Sequence, residues 1–178
     1  MAEEERTSTQ VTADIVVRPG SEADLTRINE IYNHYVVNTP ITFDIEPISM
    51  PQRRQWFERY AVSGRYRLLV AEAGGAVIGY AYSHQYHARQ AYDTTVEVSV
   101  YCAAEATGRG AGTRLYTALF EAIQGEDIRM ALAGITLPNA ASVALHERFG
   151  FSLYGVQHEV GRKFGRYWDV AWYEKRLA

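Results

Sequence analysis

The sequence predicts a single mixed α/β (α+β) domain, and three observations support this fold class. Strand-like and helical segments follow one another in the order β-α-α-β-β-β-α-β-α-β-β. The 178 residues, 47% of them hydrophobic, are enough to bury one sizeable core. No internal repeat or linker divides the chain. We therefore expect one domain over residues 14–178, preceded by a flexible arm over residues 1–13, which lack any periodic pattern.

The first third of the chain predicts one short strand and two helices. An apolar run at Ile15-Val16-Val17 predicts a strand that ends at a proline and a glycine. Ser21, followed three residues later by an aspartate, predicts a capping box. Apolar residues at helical spacing from Leu25 to Val36 then predict a helix of about four turns. After a loop, a second amphipathic helix is expected near Pro51–Tyr60, with proline in its first turn.

The middle third predicts three strands. The segments Tyr66–Ala73 and Ala76–His84 flank Gly74-Gly75, a pair typical of a hairpin turn. A polar and aromatic loop follows, and then the β-branched strand Thr95–Cys102. Because side chains alternate along a strand, this strand has one face of polar and aromatic residues and one of small apolar residues. The first face carries Glu97, Ser99 and Tyr101, and the second carries Val96, Val98, Val100 and Cys102.

The last third predicts two helices and three strands. Glycines precede a helix that runs to about Ile123, and a buried strand is expected at Ala131–Leu137. A helix over Asn139–Arg148 follows, with Asn139 as its N-cap. The tail Phe151–Leu177 predicts two strands around a turn at Gly161–Arg166.

Composition and charge exclude several classes of partner. The formal net charge of −3, without a basic cluster, gives no strong attraction to nucleic acid or to an anionic membrane. A single cysteine excludes an intramolecular disulfide framework and a cysteine-built zinc site, and indicates a reducing compartment. The acidic start is unlike a signal peptide, and no apolar run approaches the roughly 20 residues that a membrane helix needs. We expect a cytoplasmic protein.

The segment Thr107-Gly108-Arg109-Gly110-Ala111-Gly112 is a candidate anion site between a strand and a helix. Glycines allow the backbone to turn tightly and to direct N–H groups at an anion, and the helix N-terminus adds partial positive charge. An ordinary glycine-rich turn is the alternative. A phosphate-binding Walker loop is excluded because Gly-Lys-Ser/Thr is absent, and a dinucleotide fingerprint is excluded because Thr113 and Leu115 stand where it needs glycine.

This arrangement of strand, glycine loop and helix resembles the GNAT superfamily of N-acetyltransferases. Within it, the chain is similar to the branch that acetylates phosphinothricin and methionine sulfoximine. The segments that carry the resemblance occur in the order of that branch: Ile31-Tyr32-Asn33-His34-Tyr35, Ala88-Arg89-Gln90-Ala91-Tyr92-Asp93, Val96-Glu97-Val98-Ser99-Val100-Tyr101, Leu115-Tyr116-Thr117, Leu137-Pro138-Asn139, Ala144-Leu145-His146-Glu147 and Lys163-Phe164-Gly165-Arg166-Tyr167-Trp168-Asp169-Val170.

The resemblance implies a mostly antiparallel twisted sheet that splays at the fourth strand, flanked by helices, with acetyl-CoA as co-substrate. Backbone groups of Val100, Tyr101 and Cys102 would then bind pantetheine, and Asn139 would contact the same arm. The pyrophosphate would lie against Gly108, Arg109, Gly110, Ala111 and Gly112. Thr107 departs from the family, which usually has glutamine or arginine there. Because this position chiefly supplies backbone contact, we expect binding to survive.

Glu97 is the candidate general base. An amine arrives mostly as ammonium, and a partly desolvated carboxylate facing it, directly or through water, can accept its proton. The alternative is a structural carboxylate paired with a cross-strand Arg or Lys; the family resemblance favours the base. Tyr101 lies on the same face and is a candidate to shape the acceptor pocket or to assist the base. The alternative is an ordinary tyrosine that packs on the sheet. His146 falls near the family's active site, as a proton donor or relay or as a structural histidine.

The acceptor pocket implied by the resemblance draws on Phe43 and on the loop with His87, Arg89 and Tyr92. Arg89 is suited to a carboxylate or phosphinate, although an ordinary exposed loop arginine is the alternative. His87 departs from the lysine or arginine of relatives, which lowers the positive charge and leaves the acceptor open.

The sequence therefore predicts an N-acetyltransferase that transfers acetyl directly to the α-amino group of a small amino-acid-like acceptor. The resemblance also implies a homodimer. Three alternatives remain: a non-catalytic acyl-CoA-binding module, an acetyltransferase for a different amine, and a metal hydrolase built on His84 and His87. We expect no metal, because the spacing of these histidines is loose. Cys102, on the face opposite Glu97, is not expected to carry acetyl.

Overall fold

The computed structural model describes residues 14–177, and the arm predicted for residues 1–13 lies outside the described residues. These residues form seven strands and four helices in the predicted order. The strands are β1 (Val16–Pro19), β2 (Leu68–Ala73), β3 (Ala76–Gln85), β4 (Thr95–Cys102), β5 (Met130–Thr136), β6 (Ser152–Lys163) and β7 (Arg166–Arg176). The helices are α1 (Leu25–Asn38), α2 (Met50–Phe57), α3 (Ala111–Ala122) and α4 (Ala140–Arg148).

Three predicted boundaries are wrong, and side chains or turn geometry explain two of them. β2 begins at Leu68 rather than Tyr66 because the Ser83 hydroxyl bonds to the Arg67 N–H and the Arg65 carbonyl in place of a strand partner. The final turn is tighter than predicted because Phe164 and Gly165 both have positive φ, which matches the twist of a two-residue hairpin. α2 ends at Phe57 rather than near Tyr60.

The predicted capping box before α1 is present and is reinforced by an arginine. The Asp24 carboxylate accepts hydrogen bonds from the Ser21 N–H and hydroxyl, both at 2.8 Å. Both terminal nitrogens of Arg18 also donate to it at 2.8 Å. Hydrogen bonding to Arg18 holds the pKa of Asp24 down to about 2. These bonds join β1 to the start of α1.

The seven strands form one sheet in the order β1-β2-β3-β4-β5-β7-β6. Five of the neighbouring pairs are antiparallel, whereas β4 and β5 are parallel and pair only over Thr95–Glu97 and Met130–Leu132. Beyond Glu97 these two strands separate, which confirms the splay expected at the fourth strand. The polar groups on this edge of β4 therefore face a gap instead of a neighbouring strand.

The helices cover the two faces of the sheet unequally. α3 packs on the face that carries Cys102, with Leu115, Tyr116 and Leu119 fully buried. α1 and α2 cover the opposite face, where Tyr101 lies under α1. Within residues 14–177 no helix combines the length and apolar character needed to cross a membrane.

Candidate active site

A cleft of about 510 Å³ opens where β4 and β5 separate. Three short segments provide most of its lining: the end of β4, the glycine loop with the start of α3, and the start and outer face of α4. The lining includes Val100, Tyr101, Cys102, Thr107, Gly108, Gly110, Ala111, Gly112, Asn139 and Arg148. The structure thus brings together all the predicted cofactor-binding residues except Arg109, which is exposed and outside the lining.

The β4 edge offers backbone groups to this cleft. Val100 and Tyr101 pair with β3 on one side, and β4 pairs with β5 only up to Glu97. The Cys102 carbonyl accepts a hydrogen bond from the Tyr35 hydroxyl at 2.5 Å, which occupies one of the two lone pairs of this oxygen. An extended amide-containing ligand fits here because it can add hydrogen bonds as a further strand does.

The glycine loop has the conformation that its sequence requires. Gly108 and Gly110 have φ of 76° and 82°, a region in which other residues are strained. Gly110 caps α3 without a side-chain hydrogen bond, and the first turn adds the positive end of the helix dipole. Thr107 turns its hydroxyl inward to the Ala104 carbonyl at 2.9 Å. This departure from the family therefore stabilises the preceding turn and leaves the loop backbone free to contact an anion.

Gly112 allows α3 to approach both β4 and α4. A Cβ at this position would lie 3.2 Å from Leu145 and 3.9 Å from the Cys102 sulfur. Burial raises the pKa of the Cys102 thiol to about 11, although a hydrogen bond from the Gly112 backbone opposes the shift. The thiol is therefore protonated and unreactive near neutral pH.

Asn139 begins α4 as predicted. Its side-chain oxygen accepts the Ser142 N–H at 3.1 Å, which confirms it as the N-cap. It also lines the cleft and a second cavity of about 50 Å³ beside it. Arg148 at the other end of α4 donates to the Thr113 hydroxyl at 3.4 Å, close to the start of α3. A basic side chain at this entrance was not identified from the sequence.

His146 is buried, with 3% of its surface exposed, and both ring nitrogens have protein partners. Nδ1 is 2.7 Å from the Ser142 carbonyl and Nε2 is 2.9 Å from the Tyr116 hydroxyl. A carbonyl only accepts, so Nδ1 carries the hydrogen and Nε2 accepts from Tyr116. Burial lowers the pKa of His146 and favours the neutral ring. His146 borders the small cavity and is absent from the lining of the main cleft.

The predicted face of β4 carries Glu97, Ser99 and Tyr101, and the structure pairs these residues with His84, Tyr82 and Tyr80 of β3. Tyr101 stacks on Tyr80 with ring centroids 5.5 Å apart, and it meets Tyr32 and Tyr35 edge to face. Burial keeps the pKa of Tyr101 well above its ordinary value, so the phenol is protonated. This face is an aromatic layer beneath α1 and α2.

Glu97 lies at the last paired position of β4 and β5, where the splay begins. Burial alone raises its pKa from 4.5 to about 7. Its cross-strand neighbour is His84, with Nε2 3.9 Å from Oε1. The alternative, a structural carboxylate paired with a cross-strand arginine or lysine, does not match this geometry, because the residue opposite Glu97 is a histidine. A carboxylate that titrates near neutral pH is suited to accept a proton and to release it.

The loop after β3 gathers two of the predicted acceptor residues. The rings of His87 and Tyr92 are 5.0 Å apart, and Tyr86 contacts both, at 4.0 Å from His87 and 5.7 Å from Tyr92. Tyr86 also meets Trp172 of β7 edge to face at 6.5 Å. Arg89 is exposed and precedes a short helical turn. The loop is therefore an aromatic cluster with an arginine at its surface.

Phe43 belongs to the loop between α1 and α2, and the β6–β7 hairpin holds this loop. A Cβ added at Gly161 would lie 2.1 Å from the Phe43 ring, so the ring would have to move if any other residue stood there. The buried Lys163 donates to the Thr42 carbonyl at 2.7 Å. Tyr32 donates to Asp44 at 2.6 Å on the other side. Lys163 and Gly161 have no predicted role in the site, because nothing in the sequence around them indicates a contact with the Phe43 loop.

Within residues 14–177 no group of three or more His, Cys, Asp and Glu side chains is arranged to hold a metal ion. The ring of His84 instead has Nδ1 3.1 Å from the Gln85 carbonyl and Nε2 towards Glu97. The metal-hydrolase alternative therefore has no support from these residues.

Comparison with known proteins agrees with the fold and the cleft. The family described as acetyltransferase (GNAT) domain matches residues 17–172. A phosphinothricin N-acetyltransferase of Streptomyces coelicolor is 53% identical over 93% of this chain and 98% of its own length. An L-methionine sulfoximine/L-methionine sulfone acetyltransferase of Pseudomonas paraeruginosa is 35% identical over 90% and 94%. A solved phosphinothricin acetyltransferase from Sinorhizobium meliloti, in complex with acetyl-CoA, superposes with a TM-score of 0.86 at 35% identity, covering 92% of this chain and 89% of that one.

The chain belongs to the GNAT acetyltransferase family. It is an N-acetyltransferase, and the predicted resemblance to the phosphinothricin and methionine sulfoximine branch is confirmed. Acetyl-CoA as co-substrate is likewise confirmed, since the solved relative from Sinorhizobium meliloti is in complex with acetyl-CoA. The alternative of a non-catalytic acyl-CoA-binding module is therefore not needed to account for the glycine loop, because the chain is an N-acetyltransferase.

Proposed function

We propose that this N-acetyltransferase transfers acetyl from acetyl-CoA to the α-amino group of a small amino-acid-like acceptor of the phosphinothricin or methionine sulfoximine type. The observation that carries the proposal is Glu97, a desolvated carboxylate at the point where β4 leaves β5 and the cleft begins. The relatives named for these two acceptors support the choice of acceptor class.

Acetyl-CoA lies along the β4 edge in this proposal. Its pantetheine amides pair with backbone groups of Val100–Cys102, and Asn139 contacts the same arm from α4. The pyrophosphate lies against the backbone of Gly108–Gly112 at the start of α3, where N–H groups and the helix dipole favour anions. The exposed Arg109 and the cleft residue Arg148 add positive charge on either side of this position.

Glu97 removes a proton from the ammonium group of the acceptor, and the neutral amine attacks the thioester carbonyl. Three residues of strand separate Glu97 from Val100, a distance of about 10 Å. The Glu97 side chain and the acceptor span part of this distance, and water between the amine and the carboxylate completes the path, because water-mediated hydrogen bonds are nearly as good as direct ones. Backbone N–H groups of the open strand edge stabilise the oxyanion of the tetrahedral intermediate.

The acceptor occupies the space between the Phe43 loop and the aromatic loop after β3. Arg89 pairs with the acceptor's carboxylate or phosphinate, for which a guanidinium is geometrically suited. His87 and Tyr92 line the same side. His87 stands where relatives have a lysine or arginine, so a fixed positive charge is missing from this side of the pocket. An amine other than phosphinothricin or methionine sulfoximine is therefore the second candidate for the acceptor. Assays with a panel of acceptors separate the two candidates.

Tyr101 and His146 receive supporting roles. The Tyr101 ring is packed against three other tyrosines and lines the cleft, which supports a role in shaping the thioester position. His146 has both nitrogens bonded within the protein, which supports a role in fixing Tyr116 and the start of α4 over proton donation to the thiolate.

The active species is a homodimer in the cytoplasm. The β6–β7 hairpin lies at the edge of the sheet, and five of its apolar side chains are each about half exposed: Leu153, Tyr154, Val160, Phe164 and Tyr167. Apolar side chains concentrated on an edge hairpin are typical of an interface. Sedimentation of the purified chain tests this: a dimeric mass supports the homodimer, and a monomeric mass at assay concentration contradicts it.

Thiol release from acetyl-CoA, measured against phosphinothricin, methionine sulfoximine and ordinary α-amino acids, tests the acceptor class. Turnover with either of the first two, at a kcat/KM well above the ordinary amino acids, is expected. Their O-blocked or N-methylated analogues serve as matched controls, because N-methylation changes the attacking group and esterification removes the charge that Arg89 would bind. Turnover confined to unrelated amines would discard the proposed acceptor and leave the acetyltransferase activity.

A further inference from the structure

His84 lies directly opposite Glu97 in the pairing of β3 with β4. Its Nε2 is 3.9 Å from Glu97 Oε1, and the side chains are 32% and 25% exposed. The pair therefore connects a largely buried carboxylate to the protein surface. The sequence pattern does not link the two residues, because only the register of β3 against β4 brings them together.

The hydrogen bonding of His84 fixes the direction in which it can act. Nδ1 is 3.1 Å from the Gln85 carbonyl, which only accepts, so Nδ1 carries the hydrogen of the neutral ring. Nε2 then presents its lone pair towards Glu97. The ring is thus oriented to receive a proton from the carboxyl group.

Burial lowers the pKa of His84 and raises the pKa of Glu97 to about 7, so near pH 7 the histidine ring is neutral and the carboxyl group is present in both forms. Tyr82 of β3 lies beside the His84 ring, with centroids 5.5 Å apart, and the positive charge of Arg59 adds to the effect of burial in lowering the pKa of His84. Glu97 faces Tyr82 and His84, and its charge is also felt at Tyr116 and Tyr154.

The reaction requires a route for one proton per turnover. The ammonium group gives a proton to Glu97, the amine nitrogen forms its bond to the thioester carbon, and the C–S bond breaks. The nitrogen loses a second proton, which neutralises the thiolate of CoA. One proton therefore remains on Glu97 after each cycle and must reach solvent before the next.

We propose that His84 accepts this proton from Glu97 on Nε2 and releases it to solvent, so that it acts as a positioning and relay residue for the general base. The inference rests on the proposed role of Glu97. The 3.9 Å separation exceeds a direct hydrogen bond, so a small rotation of either side chain or one bridging water completes the transfer.

Chemical rescue tests the relay. His84→Ala opens space for imidazole, and His84→Gln keeps a polar side chain that cannot carry a proton at this pH. We expect both variants to lose about tenfold in kcat with an unchanged KM for acetyl-CoA. Added imidazole is expected to restore kcat of the alanine variant in proportion to its neutral form. His158→Ala, at an exposed histidine on β6, is the matched control and should show neither loss nor rescue.

The outcomes separate the relay from the base. Glu97→Gln is measured alongside: if it retains wild-type kcat, the proposed base fails and the relay fails with it. If Glu97→Gln is inactive while both His84 variants keep the wild-type kcat and pH profile, only the relay is overturned. A loss of kcat in His84→Ala that imidazole does not restore also overturns it. Acetyl-CoA affinity and circular dichroism establish that each variant is folded.

Discussion

The cleft beside β4 and the aromatic face beneath α1 and α2 are assembled in different ways. The cleft is lined by three short segments, and much of what it presents is backbone from glycine, alanine and a strand edge. The aromatic face brings together side chains from different elements, with Tyr101 against Tyr32 of α1 and Glu97 beside His84 of β3. The first arrangement suits one invariant ligand, and under the proposed function the second would allow a change of acceptor through single side chains.

The largest expected effect follows from removing the carboxylate on the aromatic face. Glu97→Gln should lower kcat by about 100-fold or more with little change in acetyl-CoA affinity, because general-base catalysis typically contributes this much. Wild-type kcat/KM should rise with pH through about 7, the pKa to which burial raises Glu97. Steady-state kinetics from pH 5.5 to 9 and calorimetric titration of acetyl-CoA measure both. A parallel loss of acetyl-CoA affinity would contradict the assignment of separate roles to the cofactor cleft and the aromatic face.

The same substitution should stabilise the protein at alkaline pH. Folding raises the pKa of Glu97 from 4.5 to about 7. The free energy of unfolding of the wild type therefore falls as the pH rises between these two values, because the buried group must then lose its proton. Glu97→Gln should therefore gain on the order of 3 kcal/mol relative to the wild type at pH 8 and almost nothing at pH 4.5. Urea unfolding at both pH values provides the measurement. Glu58→Gln, at an exposed position, is the control and should match the wild type at each pH.

A third test breaks the contact between the hairpin and the acceptor loop. Gly161→Ala puts a methyl group 2.1 Å from the Phe43 ring, which must move. The KM for the acceptor should rise about tenfold while that for acetyl-CoA stays constant, because a small displacement of a positioning group is costly. Gly155→Ala lies on the same strand with nothing within 4 Å of the new methyl, and it should resemble the wild type. Equal effects of the two variants would refute a specific role for the Phe43 contact.

The smallest effect is expected in the cofactor cleft. Cys102→Ala should keep kcat and the KM for acetyl-CoA within about twofold, because a thiol with a raised pKa is a poor nucleophile and the β4 edge is used through its backbone. Single-turnover experiments with radiolabelled acetyl-CoA would test for an acetyl group on the protein. Loss of turnover in this variant would instead indicate a covalent intermediate.

The order of secondary-structure elements and most of the cofactor cleft follow from the sequence by itself, because they depend on local signals. Strand alternation along β4, the glycines that require positive φ before α3, and Asn139 as an N-cap each act within a few residues. These signals predicted the order of elements and most of the cofactor cleft. The resemblance supplied the family, which the match over residues 17–172 confirmed.

The tertiary structure alone decided which side chains meet across the sheet. The register of β3 against β4 places His84 opposite Glu97, and burial there raises the pKa of the carboxyl group. The path of the β6–β7 hairpin places Gly161 under Phe43, which lies 118 positions earlier in the chain. His146 has its hydrogen bond to Tyr116 because α3 and α4 pack together. Strand register, burial and helix packing depend on contacts between residues distant in the chain, so local patterns carry too little information to predict them.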